Sequence, residues 1–256
     1  MNAVLVLARA TFIEAVRARV FLYLLAVAAL MIAGSVPTAE LGVGEELRLT
    51  TDVALAGVAY VCAFLSVFLG VSAVSGEVEK RTVYTVIAKA ATRSQFVVGK
   101  FFGVWATVIV AALAAYAMAL ALVSGLGGRF ASELLYALWM QIFEAGMLVA
   151  VAVFFSCISK PLLSSGLTVA LYLTGVSLKS IHFWARKSDT PPLTQALVEV
   201  FYRVLPNFEL FDVRTEIVHH VDPPLAALGF SALYGVAYTG ILLGCACLIF
   251  HRRDLK

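Results

Sequence analysis

The chain has 256 residues, of which 62% are hydrophobic and only 14% are charged, with a formal net charge of +3. Ordinary globular domains are roughly 45–50% apolar and about 25% charged, so a water-soluble core cannot account for this composition. Several apolar runs reach the roughly 17–25 residues that span a bilayer core, which indicates an all-α polytopic membrane protein.

The first nineteen residues have apolar side chains at helical spacing with charged residues between them. This pattern predicts an amphipathic helix over residues 1–19 that lies at the surface of the inner leaflet. A signal peptide is the alternative, because the apolar run that follows, 20–36, is short. Signal peptides have only a short charged region before the apolar run, so the long patterned segment favours a retained interfacial helix.

The apolar runs predict six transmembrane helices in a single domain that comprises residues 1–256. Their predicted bounds are residues 20–36, 53–74, 101–124, 134–158, 162–178 and 225–250. The last helix contains Gly240 and Gly244, which would allow close helix packing, although glycine is also generally frequent in membrane helices.

The distribution of charge predicts the orientation. With both termini inside, twelve of the nineteen Lys and Arg residues fall on the inner side, whereas eleven of the sixteen acidic residues fall on the outer side. Positive residues favour cytoplasmic loops, so we expect both termini in the cytoplasm.

The most highly charged loop lies between the second and third predicted helices, at residues 75–100. It carries seven charged residues: Glu77, Glu79, Lys80, Arg81, Lys89, Arg93 and Lys100. An apolar stripe at helical spacing accompanies them: Val83, Val86, Ile87 and Ala90. A loop that only anchors the topology needs the charges but not the stripe, whereas a helix that binds a groove on a partner uses both.

Glu144 lies deep in an apolar run, and Gln141 lies one turn earlier on the same helical face. A charge near the bilayer centre costs about 2.5–3.5 kcal/mol on insertion scales, so Glu144 should face a cavity or a partner, or be protonated. Two interpretations stay open: an intramembrane polar site in a substrate path or proton relay, and structural hydrogen bonding that includes Gln141.

The one long outer loop covers residues 181–222 and is predicted to form short helices at the outer face. Thr190 is predicted as an N-cap and Pro191 as the first helical residue, and an apolar stripe then continues until Pro206. We expect this amphipathic helix to pack over the bundle or against a partner subunit.

Motifs for catalysis or cofactor binding are not recognised. A phosphate-binding GxxxxGK[ST] loop at Gly99 and Lys100 would need glycine at position 94 and a hydroxyl at 101, where the chain has Ser94 and Phe101. The four cysteines lie in apolar runs, where they act as small hydrophobic residues. We therefore expect no enzyme activity by the chain itself, no bound metal or cofactor and no nucleic-acid partner.

The central loop and the six-helix layout resemble ABC-2 type permease subunits of ABC transporters, especially their NosY-like and GldF-like bacterial branch. The matching loop residues are Gly76, Glu77, Glu79, Arg81, Thr82, Arg93, Gly99 and Lys100. Ala90 stands where the family usually has proline, so the kink of the loop would be softer or shifted. The resemblance extends to the amphipathic start, to residues 205–209 and to the basic tail 251–255.

The resemblance implies a permease of the bacterial inner membrane that exports an unidentified substrate, for which a lipid or hydrophobic compound is compatible. ATP and Mg would be bound by a dimer of cytoplasmic ABC ATPase subunits that grips the loop as a coupling helix. Further expected partners are a second permease copy or a homologous permease, membrane lipids and an extracytoplasmic protein. The alternatives are a proton-coupled secondary transporter that uses Glu144, and a non-transporting scaffold that acts through residues 181–222.

Overall fold

The computed structural model describes residues 3–37, 46–79, 92–127, 131–185, 191–218 and 224–252. Within these ranges every regular element is a helix, which confirms the predicted all-α fold class. The elements are α1 (Ala3–Arg17), α2 (Arg19–Gly34), α3 (Glu46–Glu79), α4 (Arg93–Gly125), α5 (Ala131–Ile158), α6 (Pro161–Val176), α7 (Leu178–Ala185), α8 (Pro192–Val204), a 3-10 helix (Phe208–Phe211), α9 (Arg214–Val218) and α10 (Leu225–Arg252).

Four helices, α3, α4, α5 and α10, are each long and apolar enough to cross a membrane. α2 and α6 have 16 residues each, which is about 24 Å of helix and shorter than a bilayer core of roughly 30 Å. They reach that length only together with their neighbours, across bends of 60° between α1 and α2 and of 56° between α6 and α7. The described chain therefore has four to six candidate spans, and the arrangement of six crossings stays a prediction.

α3 extends beyond the predicted span 53–74 at both ends, from Glu46 to Glu79. Hydropathy alone does not detect its first turns because they contain polar residues whose groups bond within the helix. The Thr51 hydroxyl, for example, donates to the Leu47 carbonyl oxygen at 2.7 Å.

α4 begins at Arg93 rather than at the predicted residue 101. Thr92 and Gln95 form a capping box, in which each side chain accepts a hydrogen bond from the backbone N–H of the other residue. The predicted loop 75–100 is thus shorter than expected, because described helices cover residues 75–79 and 93–100. Residues 80–91 lie outside the described residues.

α5 is the central helix and contacts α3, α4, α6 and α10. Every residue from 147 to 153 is buried. A Cβ added to Gly70 of α3 would lie 2.7 Å from the Cβ of Ala152, so small residues set the spacing of this helix pair. The Ser156 hydroxyl satisfies its hydrogen bonding inside the contact by donating to the Ala152 carbonyl oxygen at 2.7 Å.

The segment 206–214 crosses the end of the bundle that is predicted to face outward, here called the outer end. Phe208 and Phe211 of the 3-10 helix are buried, and the helix contacts α5 and α6. A Cβ on Gly175 would lie 2.5 Å from the Phe208 ring and from the Pro206 carbonyl oxygen. This close approach requires glycine and seats the segment on the bundle.

α8 is the predicted amphipathic outer helix, with a corrected start and a corrected orientation. Pro191 is extended and precedes the helix, because a residue before proline is disfavoured in the α region; Thr190 lies outside the described residues. The polar face contacts α7, where Glu199 Oε2 and His182 Nε2 are 2.9 Å apart. The apolar face does not pack over the bundle, because its main residues are exposed: Leu193, Leu197, Val200, Phe201 and Val204. Contact with a partner subunit, the other expectation, stays a prediction.

Candidate functional site

Two of the predicted coupling residues form an ion pair at the opposite, inner end of the bundle. The Lys100 ammonium of α4 donates to Glu77 Oε1 of α3. The Lys100 side chain is 5% exposed and that of Glu77 is 22% exposed, and the Lys100 nitrogen lies 5.8 Å from the centroid of the Phe96 ring. Because a buried lysine is costly without an anionic partner, this pair holds the end of α3 against the start of α4.

Arg93, also a predicted coupling residue, binds the C-terminal end of α10. Its Nη1 donates to the carbonyl oxygens of Phe250 at 3.3 Å and of His251 at 3.0 Å. Cations are favourable here because the last carbonyls of a helix lack intrahelical partners and carry partial negative charge. The rings of Phe96 and Phe250 stack nearby with centroids 5.7 Å apart. The start of α4 is therefore joined to both α3 and α10; we call Glu77, Lys100, Arg93, Phe96 and Phe250 the inner mount.

The remaining predicted coupling residues fall into two groups. Gly76, Glu79 and Gly99 lie in described helices. A Cβ on Gly76 would meet nothing within 4 Å, whereas one on Gly99 would lie 2.7 Å from the Leu7 Cβ of α1, so Gly99 serves helix packing. The others lie outside the described residues and stay predictions: Arg81, Thr82, Val83, Val86 and Ile87.

α1 lies along the first half of α4, next to the inner mount. A Cβ on Gly103 would lie 2.6 Å from the Ala8 carbonyl oxygen and 2.6 Å from the Thr11 Cβ. A cavity of about 480 Å³ separates α1 from parts of α3 and α4, and its charged lining consists of Glu14, Glu77 and Lys100. The helix predicted to lie at the inner leaflet is thus also packed directly against the bundle.

The predicted intramembrane polar site has a partner that the sequence did not reveal. Gln141 Nε2 donates to Glu144 Oε2 at 3.0 Å within α5, and the Tyr172 hydroxyl of α6 donates to Glu144 Oε1 at 3.1 Å. Gln141 and Glu144 are 4% and 9% exposed. The only sequence signal for Tyr172 is a hydroxyl within an apolar run, which is too common in membrane helices to select it.

A polar cavity of about 50 Å³ lies between Glu144 and the outer end. Beside it, Arg214 Nε and Nη2 donate to Asp212 Oδ1 and Oδ2 at 2.8 and 2.6 Å. Burial raises the pKa of Asp212, but the hydrogen bonds and charge of Arg214 outweigh this effect and hold that pKa below its usual range. The bond to Asp212 raises the pKa of Arg214, so the pair is charged at neutral pH.

The predicted packing glycines of α10 contact no other helix in the described part of the chain. A Cβ on Gly240 or Gly244 would meet nothing within 4 Å, whereas one on Gly235 would lie 3.0 Å from the Phe211 ring. Leu233, Ile241 and other apolar residues of α10 are also exposed. Gly235 therefore supplies the close contact within the chain, and the surface at Gly240 and Gly244 is open to lipid or to another chain.

Clusters of the ligands typical of zinc and similar metals are absent from the described ranges. These ranges contain no group of three His, Cys, Asp or Glu side chains placed to hold a metal ion. The cysteines are free thiols: Cys62 and Cys157 are buried, Cys247 is partly buried and Cys245 is exposed.

Nearly the whole chain matches one protein-family model. Residues 5–255 match the family model described as ABC-2 family transporter protein. A comparison with curated proteins found no match. Because the family match covers nearly the whole chain and the helices include four to six candidate spans, this multi-pass membrane protein belongs to the ABC-2 family of transporter proteins.

Proposed function

We propose that the chain is the permease subunit of an ATP-driven ABC exporter that moves a lipid or another hydrophobic compound. ATP and Mg would be bound by two copies of a separate cytoplasmic ATPase subunit. The match to the ABC-2 transporter family is the observation that carries this proposal. The expected setting is the bacterial inner membrane, with both termini and residues 80–91 in the cytoplasm, because this orientation places most Lys and Arg residues inside.

Residues 80–91 would contact the ATPase, and the inner mount would transmit the motion to the bundle. The Glu77–Lys100 pair joins α3 to α4, and Arg93 joins α4 to α10. A force on the loop would therefore displace three helices together rather than bend one of them. Such rigid-body motion of a helix group is a common way to open a membrane path alternately to either side.

Arg81→Ala should reduce recovery of the ATPase with the tagged permease at least about tenfold, since it removes a charged contact at the edge of the expected interface. The measurement is affinity purification from the native membrane in mild detergent, followed by mass spectrometry. Arg9→Ala is the matched control, because Arg9 is an exposed arginine of α1 outside the loop. Equal ATPase recovery with both variants would contradict the assignment of Arg81 to the interface.

The open surface of α10 is the proposed contact with a second permease copy. Small residues let two helices approach closely, and a two-fold contact places the same residues of both copies near each other. Cys245 is exposed next to Gly244. Mild oxidation of the membrane-bound protein should therefore give a disulfide-linked dimer that is lost in Cys245→Ser and kept in Cys247→Ser. A dimer band that does not depend on Cys245, or none at all, would contradict this interface.

A proton-coupled secondary transporter is the second candidate, favoured by the burial of Glu144 beside a polar cavity. It predicts recovery of the chain without an ATPase, and transport that follows the proton gradient and stops in Glu144→Gln.

The scaffold alternative is favoured by the exposed apolar face of α8, which would contact an extracytoplasmic partner or membrane lipid. It predicts coupled ATP hydrolysis without a translocated compound.

A further inference from the structure

We propose that the cavity beside Glu144 binds one monovalent metal cation, of the size of sodium or potassium. The walls of this cavity come from α3, α4, α5 and α6 and from the segment 206–214. The bound cation would hold these elements together at the outer end. The proposal does not depend on the ATPase or on the transported substrate.

The first argument is the charge balance of the cavity. Its charged lining residues are Glu144, Glu209, Asp212 and Arg214. Asp212 is paired with Arg214, and Glu209 Oε1 lies 3.5 Å from the Lys179 ammonium. The hydrogen-bond partners of Glu144, Gln141 and Tyr172, are neutral. Among the described lining residues, Glu144 is therefore the carboxylate without an ion-pair partner, and a buried carboxylate requires a proton or a cation.

The second argument is the set of oxygen atoms available for a cation. Tyr116 lines the same cavity and is 7% exposed, and no described residue hydrogen-bonds to its hydroxyl. Gln141 uses its Nε2 to donate to Glu144, which leaves its Oε1 as an acceptor. The Glu144 carboxylate can also accept more than the two bonds it receives. Carboxylate, amide and hydroxyl oxygens are hard ligands of the kind that suit hard cations.

Size and charge narrow the identity of the ligand. A water molecule needs a cavity volume of roughly 10–15 Å³. The cavity of about 50 Å³ beside Glu144 therefore suits an ion with part of its hydration shell. It is too small for a lipid headgroup. Protein sites for Ca²⁺ typically supply several carboxylates among six to eight oxygen ligands, whereas here a single unbalanced carboxylate matches a single positive charge.

The mouth of the cavity gives such an ion access from the outer side. The Asp212 side chain, which lines the cavity at the outer end, is 36% exposed. Asp52 also acts electrostatically on Arg214, so acidic residues offset the arginine that lines the cavity. On its way to Glu144 a cation would therefore meet no excess of positive charge among the lining residues.

The test uses the purified full chain in detergent, with sodium chloride or potassium chloride compared against choline chloride at equal ionic strength and pH. We expect a saturable rise of the thermal midpoint by at least about 3 °C with one of the metal cations, because a ligand that binds only the folded state stabilises it. Equilibrium dialysis with radioactive sodium, or with rubidium as a potassium substitute, should give one ion per chain.

Glu144→Gln should abolish both the midpoint rise and the bound ion. Tyr116→Phe removes only a hydroxyl that has no hydrogen bond, so it should fold normally and require about tenfold more cation. Tyr238→Phe is the matched control, because its hydroxyl donates to the Val204 carbonyl oxygen at 3.0 Å outside the cavity. Equal midpoints in all three salts, dependence on pH alone, or an unchanged response in Tyr116→Phe would each overturn the proposal.

Discussion

Glu77→Ala should lower the free energy of unfolding by about 3–5 kcal/mol, the usual cost of removing one partner of a buried ion pair. The Lys100 side chain is only 5% exposed, and its ammonium donates to Glu77. Without Glu77 this charge would stay buried at the start of α4 or would have to leave its site. Unfolding of the purified protein in detergent with increasing SDS measures the loss.

Two further variants separate the ion pair from a general effect of losing an acidic residue. Glu14→Ala removes an exposed carboxylate that lines the cavity of about 480 Å³ beside Glu77 and Lys100. This variant should change the unfolding free energy by less than about 0.5 kcal/mol. Glu77→Ala combined with Lys100→Met should recover most of the loss, because neither charge is then left buried. Equal stability of the Glu77→Ala and Glu14→Ala proteins would refute a structural role for the pair.

This result also determines how coupling to an ATPase can be tested. A residue of the inner mount affects the fold, so loss of an ATPase in Glu77→Ala would not distinguish a broken interface from a loosened bundle. Arg81 belongs to residues 80–91 and is not a member of the mount. Arg81→Ala is therefore the variant that tests the ATPase interface, and Glu77→Ala tests the stability of the inner mount.

The sequence was sufficient to predict an all-helical fold but not all of the helix ends. Outside a closed β-barrel, an apolar run that crosses a bilayer must form a helix, because its backbone groups must then be hydrogen-bonded within the run itself. The ends depend on local polar bonds instead, such as that of Thr51 to the preceding turn and the capping box of Thr92 and Gln95. The capping box could have been recognised from its spacing, whereas the bond of Thr51 has no distinctive pattern.

The candidate site was predicted in part. The charged loop and the family resemblance identified Glu77, Arg93 and Lys100 as residues that couple the bundle to a partner. In the structure, Lys100 is buried against Glu77, 23 residues away in sequence. The Arg93 side chain binds the end of α10, more than 150 residues away. Contacts over such separations depend on how the helices pack, and a single sequence contains no periodic signal for them.

Side-chain periodicity predicted which residues share a helical face in α5 and α8, but not the direction in which each face points. Helical spacing correctly placed Gln141 and Glu144 on one face, and their hydrogen bond follows from that spacing. Spacing also predicted an apolar face for α8, but not the direction in which it points. The contact between Glu199 and His182 turns that face away from the bundle, and only the path of the intervening chain decides this.

Gly103→Leu should detach α1 from α4 and lower the free energy of unfolding by about 3 kcal/mol, at the upper end of the usual cost of overpacking. The first added carbon would lie 2.6 Å from the Ala8 carbonyl oxygen. This neighbour is a backbone atom, so a side-chain rotation cannot relieve the clash and α1 itself must move. Detachment can be measured by limited trypsin digestion, because α1 contains Arg9 and ends at Arg17.

Gly166→Leu is the matched control, since a Cβ at this exposed glycine of α6 would meet nothing within 4 Å. Leucine also has a higher helix propensity than glycine, so this variant should be as stable as the parent protein or slightly more stable. Equal trypsin cleavage of α1 in both variants would mean that α1 is not held by α4. Faster cleavage in Gly103→Leu alone would establish that α1 is fixed to α4, the helix that begins at Arg93.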